Sequence, residues 1–134
     1  MKTIIVDTNI LFMSLLAKGK TIRQVFERKD YRFYAPNFLI VEIFKHKEKV
    51  IRLTKASEDE VNEYLNKSLR NIHFVNEELI STANFIEAYK LCKDIDEKDT
   101  PFIALTLELE GVLWTSDKKL TEGLTRKGFT DFFE

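Results

Sequence analysis

The chain has 134 residues, of which 44% are hydrophobic and 32% charged, with a formal net charge of −1. This composition is that of a soluble globular domain, and it excludes a protein that binds nucleic acid through bulk positive charge, so that a polyanionic partner would have to be held locally. The single cysteine, Cys92, excludes an internal disulfide. No apolar stretch is long enough for a signal peptide or a membrane span, and we expect a cytoplasmic protein without a membrane partner.

Strands and helices are predicted to alternate along the whole chain. The apolar run at 3–6 predicts a buried strand, followed by helices from Asp7 or Thr8 to about Ala17 and over 21–28. The segment "YRFYAP" predicts a second strand that Pro36 ends while also starting a helix over 36–53. Because parallel strands need crossover helices, this order predicts an α/β fold with a parallel sheet covered on both faces, in one domain over 1–134.

The second half of the chain continues the alternation. The capping box "SEDE" starts a helix over 58–70, "IHFV" is a third strand, and Asn76 caps a helix that extends to about Cys92. A polar turn, "DIDEKD", leads into the helix "PFIALTLELE", which Gly111 closes. "VLWT" is a fourth strand, "DKKLTEGLTRK" a short helix, and "FTDFF" a fifth, edge strand.

Two acids directly follow the ends of predicted strands. Asp7 ends the segment that begins with "TIIV", and Asp117 follows "VLWTS". The carboxyl ends of parallel strands share one edge of the sheet, where open α/β sheets place their functional crevice. We therefore expect Asp7 and Asp117 to lie in one crevice, with Asp99 near it if the helix that follows packs suitably.

Glu42 lies among apolar residues in "NFLIVEIF", which predicts a largely buried helical segment. A buried glutamate needs a cationic partner or a metal. Several carboxylates held together repel one another, and oxygen ligands suit Mg²⁺ and Mn²⁺, whereas zinc prefers the His and Cys that are nearly absent here. Such a site can activate water and hold a phosphate, as in phosphodiester hydrolysis.

These motifs resemble the PIN-domain ribonucleases, which include VapC-like toxins. The resemblance depends on "IIVDTNIL", "LIVEIFKH" and "DEKDTPFIALTLELEGVLWTSDKKL", and covers essentially the whole chain. It implies a three-layer α/β/α fold and a Mg²⁺- or Mn²⁺-dependent endoribonuclease that leaves a 5′-phosphate and a 3′-hydroxyl. Its catalytic and metal-binding acids fall on Asp7, Glu42, Asp99 and Asp117.

The resemblance leaves several assignments open. Asp96 is a further candidate metal ligand that could replace or supplement Asp99, and Asn9 and Thr115 match positions that orient the acids or the water. Lys45, Lys118 and Lys119 follow the proposed ligands in sequence and are candidate RNA contacts. The resemblance implies an RNA substrate, an antitoxin partner and a homodimer. A catalytically silent RNA- or protein-binding module of the same fold is the alternative.

Each acid also has a purely structural interpretation. Asp7 and Asp117 could cap helices, Glu42 could pair with Lys45 or His46 one turn later, and Asp99 could favour a helix start electrostatically. The lysines could belong to solvated helix faces.

Overall fold

The computed structural model of the protein describes residues 1–16 and 19–134. Its centre is a parallel four-stranded sheet with the strand order β3-β2-β1-β4. The strands are β1 (Lys2–Val6), β2 (Tyr31–Pro36), β3 (Ile72–Val75) and β4 (Val112–Trp114). All pairings are parallel, with Ile4 opposite Phe33 on one side and Val112 on the other. The predicted α/β architecture is confirmed.

Within the described residues, seven α-helices connect and cover the strands. They are α1 (Thr8–Met13), α2 (Lys20–Phe26), α3 (Phe38–Thr54), α4 (Glu58–Leu69), α5 (Thr82–Cys92), α6 (Thr100–Leu109) and α7 (Lys118–Arg126). Helix α6 packs directly on β1, β2 and β4, and α5 covers α6. Residues 102–106 of α6 and 4–6 of β1 are almost fully buried, so the core lies where this helix crosses the central strands.

Several element boundaries differ from the prediction. Helix α1 ends at Met13, and its predicted end, Ala17, lies outside the described residues. Pro36 ends β2, where it pairs with Val75, and does not start α3. Asn76 caps a short 3₁₀ helix at Glu77–Leu79, and Ser81 separately caps α5. The differences at Pro36 and Asn76 have a physical cause: a strand pairing in the first case and a second helix cap in the other interrupt a pattern that the sequence alone would extend.

The carboxyl-terminal segment adds less to the sheet than predicted. In place of a fifth strand, Phe132 forms an isolated parallel bridge with Leu113, and the backbone N–H of Phe133 donates to the Leu113 carbonyl at 2.9 Å. The segment thereby covers the outer edge of β4, since a bare edge would leave backbone groups unpaired.

Gly111 connects α6 to β4 at a point of close approach to β1. A Cβ atom there would lie 2.8 Å from the Thr3 carbonyl oxygen, a distance that only glycine accommodates without a backbone shift. The helix itself ends on Glu110, which has a left-handed backbone with φ 51°. No helix in the described part of the chain is both long and apolar enough to span a membrane.

Candidate active site

The ends of β1 and β4 bring Asp7 and Thr115 together. Val6 pairs with Trp114, and the backbone N–H of Asp7 donates to the Trp114 carbonyl at 3.0 Å, which extends the ladder by one residue. The Thr115 hydroxyl then donates to Oδ2 of Asp7 at 2.8 Å. Although Asp7 directly precedes α1, its side chain makes no capping hydrogen bond to that helix. Its carboxylate is therefore held toward β4.

Asp7 is only 6% exposed. The pKa of its carboxyl group is raised to about 6, mainly because of burial; the hydrogen bond from Thr115 opposes the rise and the charge of Glu42 adds to it. A buried carboxylate with a strongly perturbed pKa near another acid is typical of functional sites.

Asp99 lies at the start of α6 and is half-buried. The pKa of its carboxyl group is raised to about 7, mainly by burial and additionally by nearby negative charges. In decreasing order, those charges belong to Asp7, Asp96, Asp117 and Glu42. The structure thus places the other four predicted acids close enough to Asp99 for their charges to act on it.

Glu42 faces this site from α3. Its Oε1 accepts a 2.7 Å hydrogen bond from the Thr8 hydroxyl, and it is half-buried. The segment around it is less buried than predicted, because Val41 and Phe44 are 57% and 73% exposed. Only one face of α3, including Leu39 and Ile43, reaches the core.

Asp96 and Asp99 differ in their surroundings. Asp96 is exposed, and its Oδ1 accepts from the backbone N–H of Lys98 at 3.1 Å, which caps the 3₁₀ helix Glu97–Asp99. Asp99 precedes α6 but makes no capping bond with its side chain. The carboxylate of Asp96 therefore caps a helix, whereas the carboxylate of Asp99 does not.

Asp117 combines a structural and a positional role. It caps α7 by accepting from the backbone N–H of Leu120 at 3.1 Å. Its own backbone N–H donates to the Thr115 hydroxyl at 3.1 Å, so one threonine connects Asp7 to Asp117. The capping interpretation is confirmed here, and one oxygen of the carboxylate remains outside the cap.

The polar and basic candidates are arranged less uniformly. Asn9 is exposed and makes no side-chain hydrogen bond to an acid in the described part of the chain. Lys45, Lys118 and Lys119 are exposed, and none forms a salt bridge within residues 1–16 and 19–134. Sequence reasoning did not identify Thr8 as a site residue, although its hydroxyl contacts Glu42. The only feature that could have indicated it was a hydroxyl group directly after the acid at the strand end.

The carboxylates are suited by their chemistry to a hard divalent cation, since all offer oxygen and their mutual repulsion needs compensation. They are not already gathered around one point: among the residues described, no group of three or more His, Cys, Asp or Glu side chains could hold a metal ion. Metal binding at this site would therefore have to draw the carboxylates closer together.

Comparison with known proteins identifies the class. The chain belongs to the PIN domain family, whose model matches residues 5–131. It resembles a solved structure of VapBC2 from Rickettsia felis bound to a DNA fragment from their promoter, with a TM-score of 0.63, 12% identity, and coverage of 90% of this chain and 92% of that one.

A second solved structure, PAE2754 from Pyrobaculum aerophilum, gives a TM-score of 0.66 at 14% identity and covers 91% and 79% of the two chains. At these identities the likeness concerns the fold alone. No curated protein matches the chain significantly.

Proposed function

We propose that the protein is a metal-dependent endoribonuclease that hydrolyses phosphodiester bonds of RNA. The main support is the convergence of Asp7, Glu42, Asp99 and Asp117 at the carboxyl end of the sheet, where burial and then the charges of the other three acids and of Asp96 raise the pKa of Asp99. The PIN domain family, to which the chain belongs, consists generally of nucleases that use divalent metal ions.

Asp7, Glu42, Asp99 and Asp117 would hold Mg²⁺ or Mn²⁺. When bound, the cation supplies positive charge to a phosphate and lowers the pKa of a water molecule. Thr115 fixes the carboxylate of Asp7, and Thr8 fixes that of Glu42, through the hydrogen bonds already described. Exposed Lys45, Lys118 and Lys119 supply charge for flanking phosphates. We assign Asp99 as a ligand in preference to Asp96, because the latter is exposed and caps a turn.

The first experiment is cleavage of a labelled mixture of structured and single-stranded RNAs with Mn²⁺, with Mg²⁺ and with a chelator. Asp99→Asn and Asp96→Asn are a matched pair three residues apart. We expect chelator-sensitive cleavage by the wild type and by Asp96→Asn, and none by Asp99→Asn. Cleavage that persists in Asp99→Asn and disappears in Asp96→Asn would reverse the assignment of the ligand.

A silent binding module is the second candidate, and the lack of a preformed metal group in the described residues favours it. Metal-dependent melting separates the two. A ligand that binds the folded state raises stability with the logarithm of its concentration. The nuclease proposal expects a higher melting temperature in millimolar Mn²⁺, reduced in Asp99→Asn, whereas a silent module shows no shift.

We propose further that the protein is the toxin of a toxin–antitoxin pair and acts as a homodimer. Its resemblance to a VapBC2 structure supports the first idea. The apolar residues exposed on α3, Ile40, Val41 and Phe44, supply a surface for a protein contact. Induced expression should stop bacterial growth with the wild type but not with Asp99→Asn, and sedimentation should give the mass of a dimer.

A further inference from the structure

A small pocket opens beside the candidate active site. It has a volume of about 180 Å³ and lies between α1, the carboxyl-terminal half of α3 and the turn before α7. Asn9 and Ser116 supply its polar groups. Its apolar walls include Phe12, Met13, Val50 and Leu53. The pocket is therefore an apolar slot with an amide and a hydroxyl on its lining.

The polar side of the pocket is formed by residues that lie close to the acids in sequence. Asn9 lies two residues after Asp7, in the first turn of α1, and Ser116 stands between Thr115 and Asp117. Asn9 follows β1 and Ser116 follows β4. The ends of these two strands are connected by the hydrogen bond from Thr115 to Asp7, at 2.8 Å. A strand of substrate held at the carboxylates would therefore pass close to this pocket.

The charges around the pocket favour a neutral occupant. Asp7 and Asp117 lie two residues and one residue from the lining residues Asn9 and Ser116 and would repel an anionic group, while the apolar walls would not solvate a cation. Exposed Lys49 and Lys118 lie one and two residues from the lining residues Val50 and Ser116. Substrate phosphates outside the pocket would thus lie near positive charge, and a neutral group inside the pocket would contact apolar side chains.

The size and the polar groups of the pocket indicate one planar ring. Drug-sized ligands occupy about 300–1,000 Å³, well above the 180 Å³ here. An apolar helix from a protein partner would need a groove that spans several turns. The side chain of the exposed Asn9 makes no hydrogen bond among the described residues, and an amide can pair with the edge of a base as both donor and acceptor.

From these observations we propose that the pocket binds one unpaired nucleobase of a single-stranded RNA, next to the phosphate at the carboxylates. The inference rests on the proposed function, and it adds that the substrate is read as single-stranded at this position. The half-buried Phe12 supplies an aromatic surface for the base, and the Asn9 amide and the Ser116 hydroxyl contact its edge. Duplex RNA would keep its bases stacked and out of the pocket.

Binding measured in chelator tests the pocket without requiring cleavage. The probes are fluorescent ten-nucleotide strands of A, of C and of U, and an equally long ribose-phosphate strand without bases. We expect the wild type to bind at least one of the three strands about fivefold or more tighter than the abasic strand, as expected for a stacked base. Asn9→Ala and Leu53→Ala should lose this preference and keep their affinity for the abasic strand.

Leu79→Ala is the matched control for Leu53→Ala. Leu79 and Leu53 are exposed, by 77% and 63% respectively, so neither truncation removes core packing, and Leu79 lies outside the pocket. The control should retain the wild-type preference. Equal affinity of the wild type for all four strands, or a preference that survives in Asn9→Ala and Leu53→Ala, would overturn the inference; a pocket used by a protein partner would give the first of these results.

Cleavage of the same strands in Mn²⁺ distinguishes this inference from the proposed nuclease. A base preference in binding without any metal-dependent cleavage contradicts the nuclease and supports the pocket. Cleavage without a base preference contradicts the pocket alone.

Discussion

Thr115 donates its hydroxyl hydrogen to Asp7 across two adjacent strands, at 2.8 Å, and accepts from the backbone N–H of Asp117. The two acids are 110 residues apart in the chain but share this one side chain. Because the hydrogen bond favours the charged form of Asp7, Thr115 would hold the carboxylate in the protonation state that the proposed metal site needs.

Replacing Thr115 by Val should therefore weaken metal binding. We expect the pKa of Asp7 to rise above its present value of about 6, and Mn²⁺ affinity at pH 7 to fall about tenfold, since a hydrogen bond to a charged group contributes about 1.5–3 kcal/mol. Titration of Mn²⁺ by melting, repeated from pH 6 to 8, measures this. Thr115→Ser keeps the hydroxyl and should restore the wild-type profile; equal losses in both variants would indicate a packing role only.

Asp7→Asn should stabilise the metal-free protein at alkaline pH. The pKa of Asp7 rises from its ordinary 3.8 to about 6 on folding, so the folded state binds the proton more tightly and stability is lost as pH rises through this interval. The cost of the charged form is roughly 3 kcal/mol. We expect Asp7→Asn to raise the free energy of unfolding by about 1–3 kcal/mol at pH 8 and much less at pH 4.

Urea denaturation in chelator at the two pH values measures the effect. The amide oxygen that the substitution introduces can still accept from Thr115, which keeps the fold comparable. A variant less stable than the wild type at pH 8 would contradict the assigned cause, the burial of a charge.

Stabilisation by Mn²⁺ should depend steeply on pH. Asp7 and Asp99 have pKa values raised to about 6 and about 7, so at pH 5 both are protonated in the metal-free protein and protons compete with the cation. The rise in melting temperature at fixed Mn²⁺ should be small at pH 5 and reach its full size near pH 8. A shift that is independent of pH over this range would show that the metal binds elsewhere.

Glu110→Gly should raise stability without touching the site. Glu110 ends α6 with φ 51°, a conformation that costs an L-residue about 1–2 kcal/mol, and glycine removes this cost but loses part of the gain through its freer unfolded chain. We expect a gain of about 0.5–1 kcal/mol in the free energy of unfolding. Glu63→Gly removes the same charge from an exposed position within α4 and should cost about 1 kcal/mol. A loss in both variants would contradict the role of the backbone angle.

Local sequence patterns predicted the order of the main elements well. The capping box at Ser57 and Glu60 is present with both of its hydrogen bonds, and β1 is buried on both faces as its apolar run indicates. These features depend on neighbours within a few residues, which the sequence displays directly.

The positions of the acids after strand ends were also predictable from local pattern, but the surroundings of each acid were not. Asp7 and Asp117 follow strands that end locally, so their shared edge was deducible from sheet geometry alone. The proposed preference for Asp99 over Asp96 depends on which side chain caps a 3₁₀ helix and which is affected by the other acids, and the turn "DIDEKD" is too polar to indicate either.

Glu42 illustrates most clearly what local sequence patterns do not predict. The apolar letters around it predicted burial on nearly all sides, yet Val41 and Phe44 are exposed, because only contacts with other elements decide which face of a helix is covered. Its partner, Thr8, lies 34 residues away in the chain. By itself the sequence determined the strands, the helices and the acids that end them, since these follow from local pattern and chirality. The tertiary structure alone decided which face of α3 is buried, how the acidic charges couple and which side chains are hydrogen-bonded across elements, since these depend on residues that only folding brings together.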